Sequence, residues 1–319
     1  MTEDLAKEVR ELKRRRDAVL LAHNYQLGEI QDVADHVGDS LYLSRKAMET
    51  DAQVILFSGV KFMAETAKIL NPTKTVLLPD LEAGCSLSDS ITAEQLRAWK
   101  KDHPGAVVVS YVNTSAEVKA ESDYCCTSSN ALEIVRRVPE SQEVLFLPDM
   151  FLGNYVKQRT GRKNIHLWVG DCFVHTRMRP ETVRRMKGEH PGAELVAHPE
   201  CGCSTEVLPD VDRVLSTDGM MRYAKETRQP EVLVATEVGI LHRMRKVNPQ
   251  TSFIPLSPEA VCPFMKRNTL EKVRDSLRDI KYRIEVPDPI LRRARKALDR
   301  MVEATATSPA STTVSAAIA

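Results

Sequence analysis

Short apolar runs alternate with longer amphipathic segments along most of the chain. The runs are rich in Val, Leu, Ile and Ala and are bounded by turn residues, so they predict buried strands. The amphipathic segments repeat their apolar positions every three or four residues, which predicts helices. The predicted strands are Ala18–Ala22, Gln53–Phe57, Thr75–Leu78, Ala106–Ser110, Tyr124–Cys126, Val144–Leu147, Ile165–Val169, Glu194–Ala197, Arg213–Leu215, Glu231–Ala235 and Ser252–Ile254. This alternation favours parallel sheets covered by helices on both faces.

The pattern also places helices between the strands. One is predicted from about Glu29 to Val37, and the next from Ser40 to about Thr50. Another begins after Thr92, where Gln95 occupies the capping-box position. Two helices are predicted after the last strand, and the second of them starts at Asp288-Pro289. We expect both to pack back against the beginning of the chain.

The chain contains an internal repeat of about 88 residues. His103-Pro-Gly-Ala106 recurs as His190-Pro-Gly-Ala193, and three kinds of position recur in phase with it. These positions are the polar ends of strands, hydroxyl residues near helix starts, and cysteines in loops. The three sets are His23, Tyr111 and His198; Ser40, Ser128 and Ser216 with Thr217; and Cys85, Cys172 and Cys262. The repeat predicts three homologous β/α units whose cysteines converge.

The repeat divides the chain into three predicted domains. They span residues 1–89, 90–176 and 177–262, with residues 263–304 packing back on the first domain. The tail, residues 305–319, is rich in Ala, Ser and Thr and is predicted to be disordered.

Composition narrows the function. Hydrophobic residues make up 42% of the chain, which suffices for buried cores, and 45 basic against 44 acidic residues leave a net charge of +1. This balance argues against nucleic acid or an anionic membrane as a partner. Because the N-terminus is a charged helix and no long apolar segment occurs, we expect a soluble, cytoplasmic protein.

The seven cysteines argue against a disulfide framework, since their number is odd and a cytoplasmic chain keeps its thiols reduced. Cys125 and Cys126 lie in an apolar run and are predicted to be buried packing residues. Cys201-Gly-Cys203 is a competing source of thiols, but its close spacing suits a secondary redox role or none.

Three thiolates can hold a zinc ion or three corners of a [4Fe–4S] cluster. Structural zinc normally has four ligands and shows CxxC pairs, which this sequence lacks. A cluster held by three cysteines leaves one iron open to substrate, where it acts as a Lewis acid for dehydration next to a carboxylate. A catalytic cluster is therefore favoured.

Several segments strongly resemble the quinolinate synthase family over about residues 12–301. The segments are Ala22-His-Asn-Tyr-Gln26, Phe62-Met-Ala-Glu-Thr-Ala-Lys68, Pro79-Asp-Leu-Glu-Ala-Gly-Cys-Ser-Leu87, Tyr111-Val-Asn113, His198-Pro-Glu-Cys201, Ser216-Thr-Asp-Gly-Met220 and Cys262-Pro-Phe-Met-Lys-Arg267. The resemblance implies an α/β fold of three pseudo-three-fold-related β/α/β domains, with short parallel sheets sandwiched by helices. One [4Fe–4S] cluster would lie at their central interface.

The resemblance also implies a reaction and its residues. The family condenses iminoaspartate, supplied by L-aspartate oxidase, with dihydroxyacetone phosphate to give quinolinate, phosphate and two waters in NAD biosynthesis. The implied cluster ligands are Cys85, Cys172 and Cys262. The implied catalytic residues are Tyr25, Tyr111, His198 and Glu200, and the implied substrate-binding residues are His23, Ser40, Tyr111, Asn113, Ser128, His198, Glu200 and Thr217.

These roles are chemically reasonable, but there are alternatives for the hydroxyl residues and for the function. Glu200 is the expected general base, while Tyr25 and Tyr111 can pass protons to departing hydroxyls. Each hydroxyl near a helix start could instead be an ordinary N-cap. The rival functions are a cluster-dependent hydro-lyase acting on a simple hydroxy acid, and a non-enzymatic iron–sulfur sensor, which the absence of a recognition motif disfavours.

Overall fold

The computed structural model describes residues 2–202 and 211–306 as an α/β protein built on three four-stranded parallel sheets. The predicted fold class is confirmed. The strands are β1 (Ala18–His23), β2 (His36–Gly38), β3 (Val54–Ser58) and β4 (Thr75–Leu77) in the first sheet, β5 (Val107–Tyr111), β6 (Tyr124–Cys126), β7 (Val144–Leu147) and β8 (Ile165–Leu167) in the second, and β9 (Glu194–Ala197), β10 (Arg213–Val214), β11 (Glu231–Ala235) and β12 (Ser252–Pro255) in the third.

Helices connect the strands of each unit and the units to one another. Within the described residues they are α1 (Thr2–Arg15), α2 (Gly28–Val33), α3 (Ser40–Glu49), α4 (Lys61–Leu70), α5 (Ser86–Asp89), α6 (Ala93–Asp102), α7 (Ala116–Ala120), α8 (Ala131–Arg137), α9 (Met150–Thr160), α10 (Pro180–Glu189), α11 (Thr217–Glu226), α12 (Ile240–Val247), α13 (Leu270–Asp279) and α14 (Asp288–Ala306). In the part of the chain that the structure describes, no helix combines the length and apolarity that a membrane crossing requires.

The three sheets share one strand order. In each, the first strand in the chain lies between the second and the third, and the fourth forms the far edge. The central strands are almost wholly buried, because helices cover both faces of the sheet. The identical order confirms that the sequence repeat is a structural repeat.

A recurring aspartate fixes the edge strand of each sheet. Its carboxylate accepts a hydrogen bond from a backbone N–H near the start of the central strand, at 2.7–2.8 Å. Its own N–H donates back to the carbonyl of the same residue. The pairs are Asp35 with Leu20, Asp123 with Val108, and Asp212 with Leu195. One side chain thus satisfies backbone groups that the short edge strand leaves unpaired.

The helix predicted over Glu29–Val37 is wrong in its second half. The helix α2 ends at Val33, Ala34 is already extended, and residues 36–38 form β2, whose Val37 pairs with Ala22. The bonds of Asp35 to the central strand pull this segment into the sheet, which outweighs its helical pattern. The strand predicted over Ile165–Val169 also ends early, at Leu167.

The last two helices pack mainly on different units. Val273 and Leu277 of α13 share a buried cluster with Val9 of α1, as expected for packing on the first unit. The long helix α14 instead lies mainly against α7 and β6 of the second unit and less against α4 of the first. The last helix therefore packs on the first unit as expected, but its larger contact is with the second. This helix continues to Ala306, two residues into the predicted tail, and residues 307–319 lie outside the described range.

Candidate active site

The carboxyl ends of the three central strands open into one cavity. His23 is the last residue of β1, Tyr111 is the last residue of β5, and His198 directly follows β9. All three line a cavity of about 730 Å³, a volume that includes the part open to solvent. Ligands of parallel α/β proteins collect at such strand ends, where loops and helix N-termini supply polar groups.

The structure brings every residue predicted for the site into this cavity. Its lining includes His23, Tyr25, Ser40, Cys85, Tyr111, Asn113, Ser128, Cys172, His198, Glu200, Thr217 and Cys262. These residues come from all three units, so the cavity exists only where the units meet. Their individual roles remain predictions.

Ser40 and Thr217 are not the N-caps of their helices, although a cap was the simplest interpretation of each. Ser40 is the first residue of α3, whose N-cap is Asp39, and Thr217 is the first residue of α11, whose N-cap is Ser216. Because the neighbouring residue satisfies the helix end, the Ser40 hydroxyl is available to a ligand. The Thr217 hydroxyl accepts a hydrogen bond from Nδ2 of Asn24 at 3.2 Å and can still donate its own proton to a ligand. The third hydroxyl, that of Ser128, lies 3.0 Å from Nε2 of His198.

The three cysteines lie at similar turns with hydrogen-bond donors around their sulfurs. Backbone N–H groups two and three residues downstream lie near the sulfurs of Cys85 and Cys262 and act to lower the pKa of these thiols. At Cys172 the donor is a side chain, since Nδ1 of His175 lies 3.1 Å from Sγ. Burial still dominates, and it raises the pKa of the Cys85 thiol to about 12. Such thiols carry charge only when a metal deprotonates and binds them, and the N–H donors would then stabilise the thiolates.

A buried hydrogen-bond network joins the two tyrosines of the site. The Tyr25 hydroxyl lies 2.5 Å from Oγ1 of Thr236, which lies 2.9 Å from Nε2 of His175. On its other side, Nδ1 of His175 lies 3.0 Å from Oε2 of Glu200. The Tyr111 hydroxyl also bonds to the Glu200 carboxylate. The network therefore runs from Tyr25 to Tyr111 without leaving the protein interior.

The cavity fixes the charge of its titratable groups. Burial acts to lower the pKa of His175, but the Cys172 sulfur and the Glu200 carboxylate outweigh it and raise the pKa to about 10. Burial acts to raise the pKa of Glu200, yet the His175 charge holds that pKa below its usual value. Burial lowers the pKa of His23 to about 3 and that of His198 to about 4. The site thus holds one buried ion pair beside two neutral imidazoles.

Cys172, His175 and Glu200 form a group that could hold a metal ion, since their ligand atoms all lie within 4.8 Å of one another. His175 was absent from the residues singled out in the sequence. The available signal was its position three residues after Cys172, on the same turn. The other units have no imidazole at the position that matches His175, so the repeat did not point to it. The same is true of His166, the middle residue of β8.

Two further residues of the site were also missed. Glu237 lines the cavity, and its carboxylate accepts a hydrogen bond from the backbone N–H of Cys262 at 3.1 Å. Lys266 lies 2.8 Å from the same carboxylate and donates to the carbonyl oxygen of Tyr25. Together they anchor the Cys262 loop to the first unit, a contact between distant segments that no local pattern reveals.

The other thiols that the structure describes lie away from the cavity. Cys125 and Cys126 are fully buried, as predicted, and Cys201 is buried in the core of the third unit near the carbonyl of Met178. Cys201 is not among the residues lining the cavity. Cys203 lies outside the described residues.

Fold and site together define a class of protein: an α/β chain of three repeated units around one central cavity rich in thiol, imidazole and carboxylate donors. Comparison with known sequences then identifies the family. The family model for the quinolinate synthetase A protein, NadA, matches residues 7–303. The chain belongs to this family.

Several similar proteins carry the name quinolinate synthase. One from Thermus thermophilus is 56% identical over 303 residues, which cover 94% of this chain and 97% of that protein. One from Mycobacterium sp. strain KMS is 52% identical over 311 residues, covering 95% and 92% of the two chains. One from Mycobacterium tuberculosis is 51% identical over 307 residues, covering 93% and 88%. These names support an enzyme that acts on small molecules.

Proposed function

We propose that this protein is a quinolinate synthase that condenses iminoaspartate with dihydroxyacetone phosphate, releasing quinolinate, phosphate and two waters. One observation carries the proposal. The twelve residues that the resemblance implied for this reaction, spread over three units of a family member, line a single cavity. The product would feed de novo NAD biosynthesis in the cytoplasm.

Cys85, Cys172 and Cys262 would hold a [4Fe–4S] cluster in this cavity. The donor set fits, because each sulfur lies at a turn that supplies an N–H donor and each thiol is free of a disulfide. When bound, a cluster with three protein ligands supplies one open iron that acts as a Lewis acid. The competing ligand set, Cys172 with His175 and Glu200, would hold a single ion. About four irons and four sulfides per chain would distinguish the cluster from that alternative.

The substrates carry carboxylates and a phosphate, and the cavity offers matching donors. The first residues of α3 and α11, Ser40 and Thr217, place hydroxyls beside helix N-termini that favour anions. The Oδ1 atom of Asn113 is buried and has no hydrogen-bond partner within the described chain. An unsatisfied buried acceptor is costly, so a substrate hydroxyl or N–H group at this position would be stabilised. Ser128, His23 and His198 complete the binding set.

The buried network is suited to moving protons between two carbon centres. Glu200 is held ionised, the form that accepts a proton, and Tyr111 donates to it directly. On the opposite side, His175 and Thr236 connect Glu200 to Tyr25. A proton removed by Glu200 can therefore be returned to a departing hydroxyl through either tyrosine. Burial, followed by the Glu200 charge, raises the pKa of both tyrosines well above 10, so they remain protonated donors.

The proposal includes a functional partner. Iminoaspartate is an unstable imine, so an enzyme that oxidises L-aspartate must supply it close to the time of use. We propose coupling to L-aspartate oxidase, with transfer of a small molecule and no requirement for nucleic acid or membrane.

An anaerobic assay tests the function. Protein reconstituted with iron and sulfide is mixed with dihydroxyacetone phosphate and with iminoaspartate generated by L-aspartate oxidase, and quinolinate is quantified by chromatography. We expect product with reconstituted protein and none with iron-free protein. Absence of quinolinate from protein that carries a full cluster would refute the synthase. Consumption of a simple hydroxy acid by the same protein would favour the hydro-lyase instead.

A further inference from the structure

A second group of metal-ligating side chains lies at the opposite edge of the second sheet from the cavity. His103 is the C-cap of α6, Glu143 directly precedes β7, and His166 is the middle residue of β8. Their ligand atoms all lie within 4.8 Å of one another. None of the three lines the catalytic cavity. The cavity is at the carboxyl end of β5, whereas Glu143 marks the amino end of its neighbour β7.

Comparison with the third unit shows which residues of this group have a structural role. In the third unit, His190 is the C-cap of α10 and has nearly the same backbone angles as His103, and its Nδ1 atom lies 3.1 Å from Oε2 of Glu231. The corresponding distance from His103 to Glu143 is 3.2 Å. The His–Glu pair is therefore a recurring tie between a helix end and a strand start, and it needs no ligand.

The third donor has no such structural explanation. His166 pairs with Leu145 of β7, and the equivalent residue in the third sheet, paired with Leu233 of β11, is Ile254. An apolar residue suffices at this position of the fold. His166 places a second imidazole beside the His–Glu pair, with its ring centroid 4.2 Å from that of His103.

Nε2 of His166 has no close hydrogen bond. The atom is buried, and within the described chain it makes only a 3.5 Å ion-pair contact with Oε1 of Glu143. A buried polar atom with so long a contact costs free energy and calls for an explanation such as a bound ion. Ligands about 2.0–2.1 Å from a tetrahedral zinc ion are separated by roughly 3.3 Å. Nδ1 of His103 lies 3.2 Å from Oε2 of Glu143 and Nε2 of His166 lies 3.5 Å from Oε1, so each carboxylate oxygen is about one such separation from an imidazole.

We propose that His103, Glu143 and His166 bind a divalent transition-metal ion, with Zn²⁺ as the physiological occupant. Two imidazoles and one carboxylate suit Zn²⁺ and related ions, whereas Mg²⁺ and Ca²⁺ prefer oxygen ligands alone. Three protein ligands leave the fourth position to water. The ion would join the end of α6 to the edge strand β8, and it would be specific to the second unit because the third unit lacks the second imidazole.

The chain carries a built-in reporter for this site. Its two tryptophans are Trp99, whose ring centroid lies 6.2 Å from that of His103, and Trp168, 5.5 Å from Trp99. Cobalt(II) is the probe, since it takes the place of Zn²⁺, absorbs visible light and quenches nearby tryptophan fluorescence. Anaerobic, cluster-loaded protein is titrated with Co²⁺ and then with Zn²⁺ in competition, while cluster absorbance is monitored to confirm that the iron is retained.

We expect one Co²⁺ per chain to quench the tryptophans and Zn²⁺ to displace it. His166→Ile, which installs the residue of the third unit, should weaken Co²⁺ binding at least about tenfold, and His103→Gln should do the same. The matched control His190→Gln removes the equivalent pair in the third unit and should leave affinity and quenching unchanged. Equal affinity of wild type, His166→Ile and His103→Gln would overturn the proposal, as would equal loss in His190→Gln.

Discussion

The two metal-capable groups found among residues 2–202 and 211–306 have the same number of donors but opposite surroundings. In the cavity, His175 and Glu200 expose only 2% and 4% of their side chains, while Glu143 and His166 at the sheet edge expose 47% and 36%. Burial forces the cavity group to satisfy every charge internally, through Tyr111 and Thr236. At the sheet edge the side chains are partly open to solvent, yet Nε2 of His166 is buried without a close hydrogen bond. Burial, more than donor identity, therefore decides which group of side chains can become a reaction centre.

The largest effect on activity is expected from removing a thiol from the cavity. Cys172→Ala should abolish the brown colour expected of the proposed [4Fe–4S] cluster and lower quinolinate formation at least about a thousandfold, because several kcal/mol of Lewis-acid stabilisation would be lost. Cys85→Ala and Cys262→Ala should behave alike, and Cys125→Ala is the matched control with chromophore and activity retained. Visible absorbance, iron content and turnover are measured together. Wild-type iron content in Cys262→Ala would contradict the ligand assignment.

The second prediction separates chemistry from metal binding within the cavity group. Glu200→Gln keeps the shape of the side chain but removes the proton acceptor, so turnover should fall about 10²- to 10⁴-fold while the cluster is retained. Iron content, absorbance and turnover measured on one preparation provide the test. Turnover equal to wild type would remove Glu200 from the mechanism.

The third prediction concerns His175, which we assign as a positioning residue because it contacts Cys172 and Glu200. His175→Gln should lower turnover about 10- to 100-fold, the usual cost of losing a partner of a metal ligand. It should also lower the reduction potential of the cluster, since N–H donors to a cluster sulfur favour the reduced state. Potentiometric titration monitored by electron paramagnetic resonance measures this shift. An unchanged potential would show that His175 does not act on the Cys172 sulfur.

The smallest effect is expected at the sheet edge. Glu143→Gln in metal-free buffer should leave turnover within about twofold of wild type and the free energy of unfolding within about 0.5 kcal/mol, as for an exposed substitution. Denaturant unfolding of this variant is compared with that of Glu231→Gln, its counterpart in the third unit. A loss of turnover at Glu143 alone would show that the sheet edge communicates with the cavity and would undo the contrast.

Much of the fold was predictable because the same pattern of strands and helices occurs three times in the sequence. Eleven of the strands followed from short apolar runs, and the edge strand β2 of the first sheet was missed because residues 29–37 also have a helical pattern. The other two units, each with four predicted strands, contained the signal that could have corrected this. Asp35, Asp123 and Asp212 recur in phase as well, immediately before the edge strand of each unit.

The candidate site shows the same division. His23, Tyr111 and His198 recur in phase, and so do the cysteines, so the sequence alone predicted that they would meet. His175 and Thr236 lack counterparts with the same chemistry in the other units, and their importance depends on a contact across units. Glu237 does have an acidic counterpart, Asp149, at the matching position of the second unit, and this signal was overlooked. A pattern within one chain segment carries no information about which distant side chain lies 3.0 Å away, as Glu200 does from His175.

The sequence by itself determined the strands, the three-fold repeat and the polar and thiol residues at the strand ends, because alternation and period are local properties of a chain. The tertiary structure decided which groups pair, which are buried and therefore which are charged. Those properties depend on distance and on exclusion of water, and both arise only when three units close around a common centre.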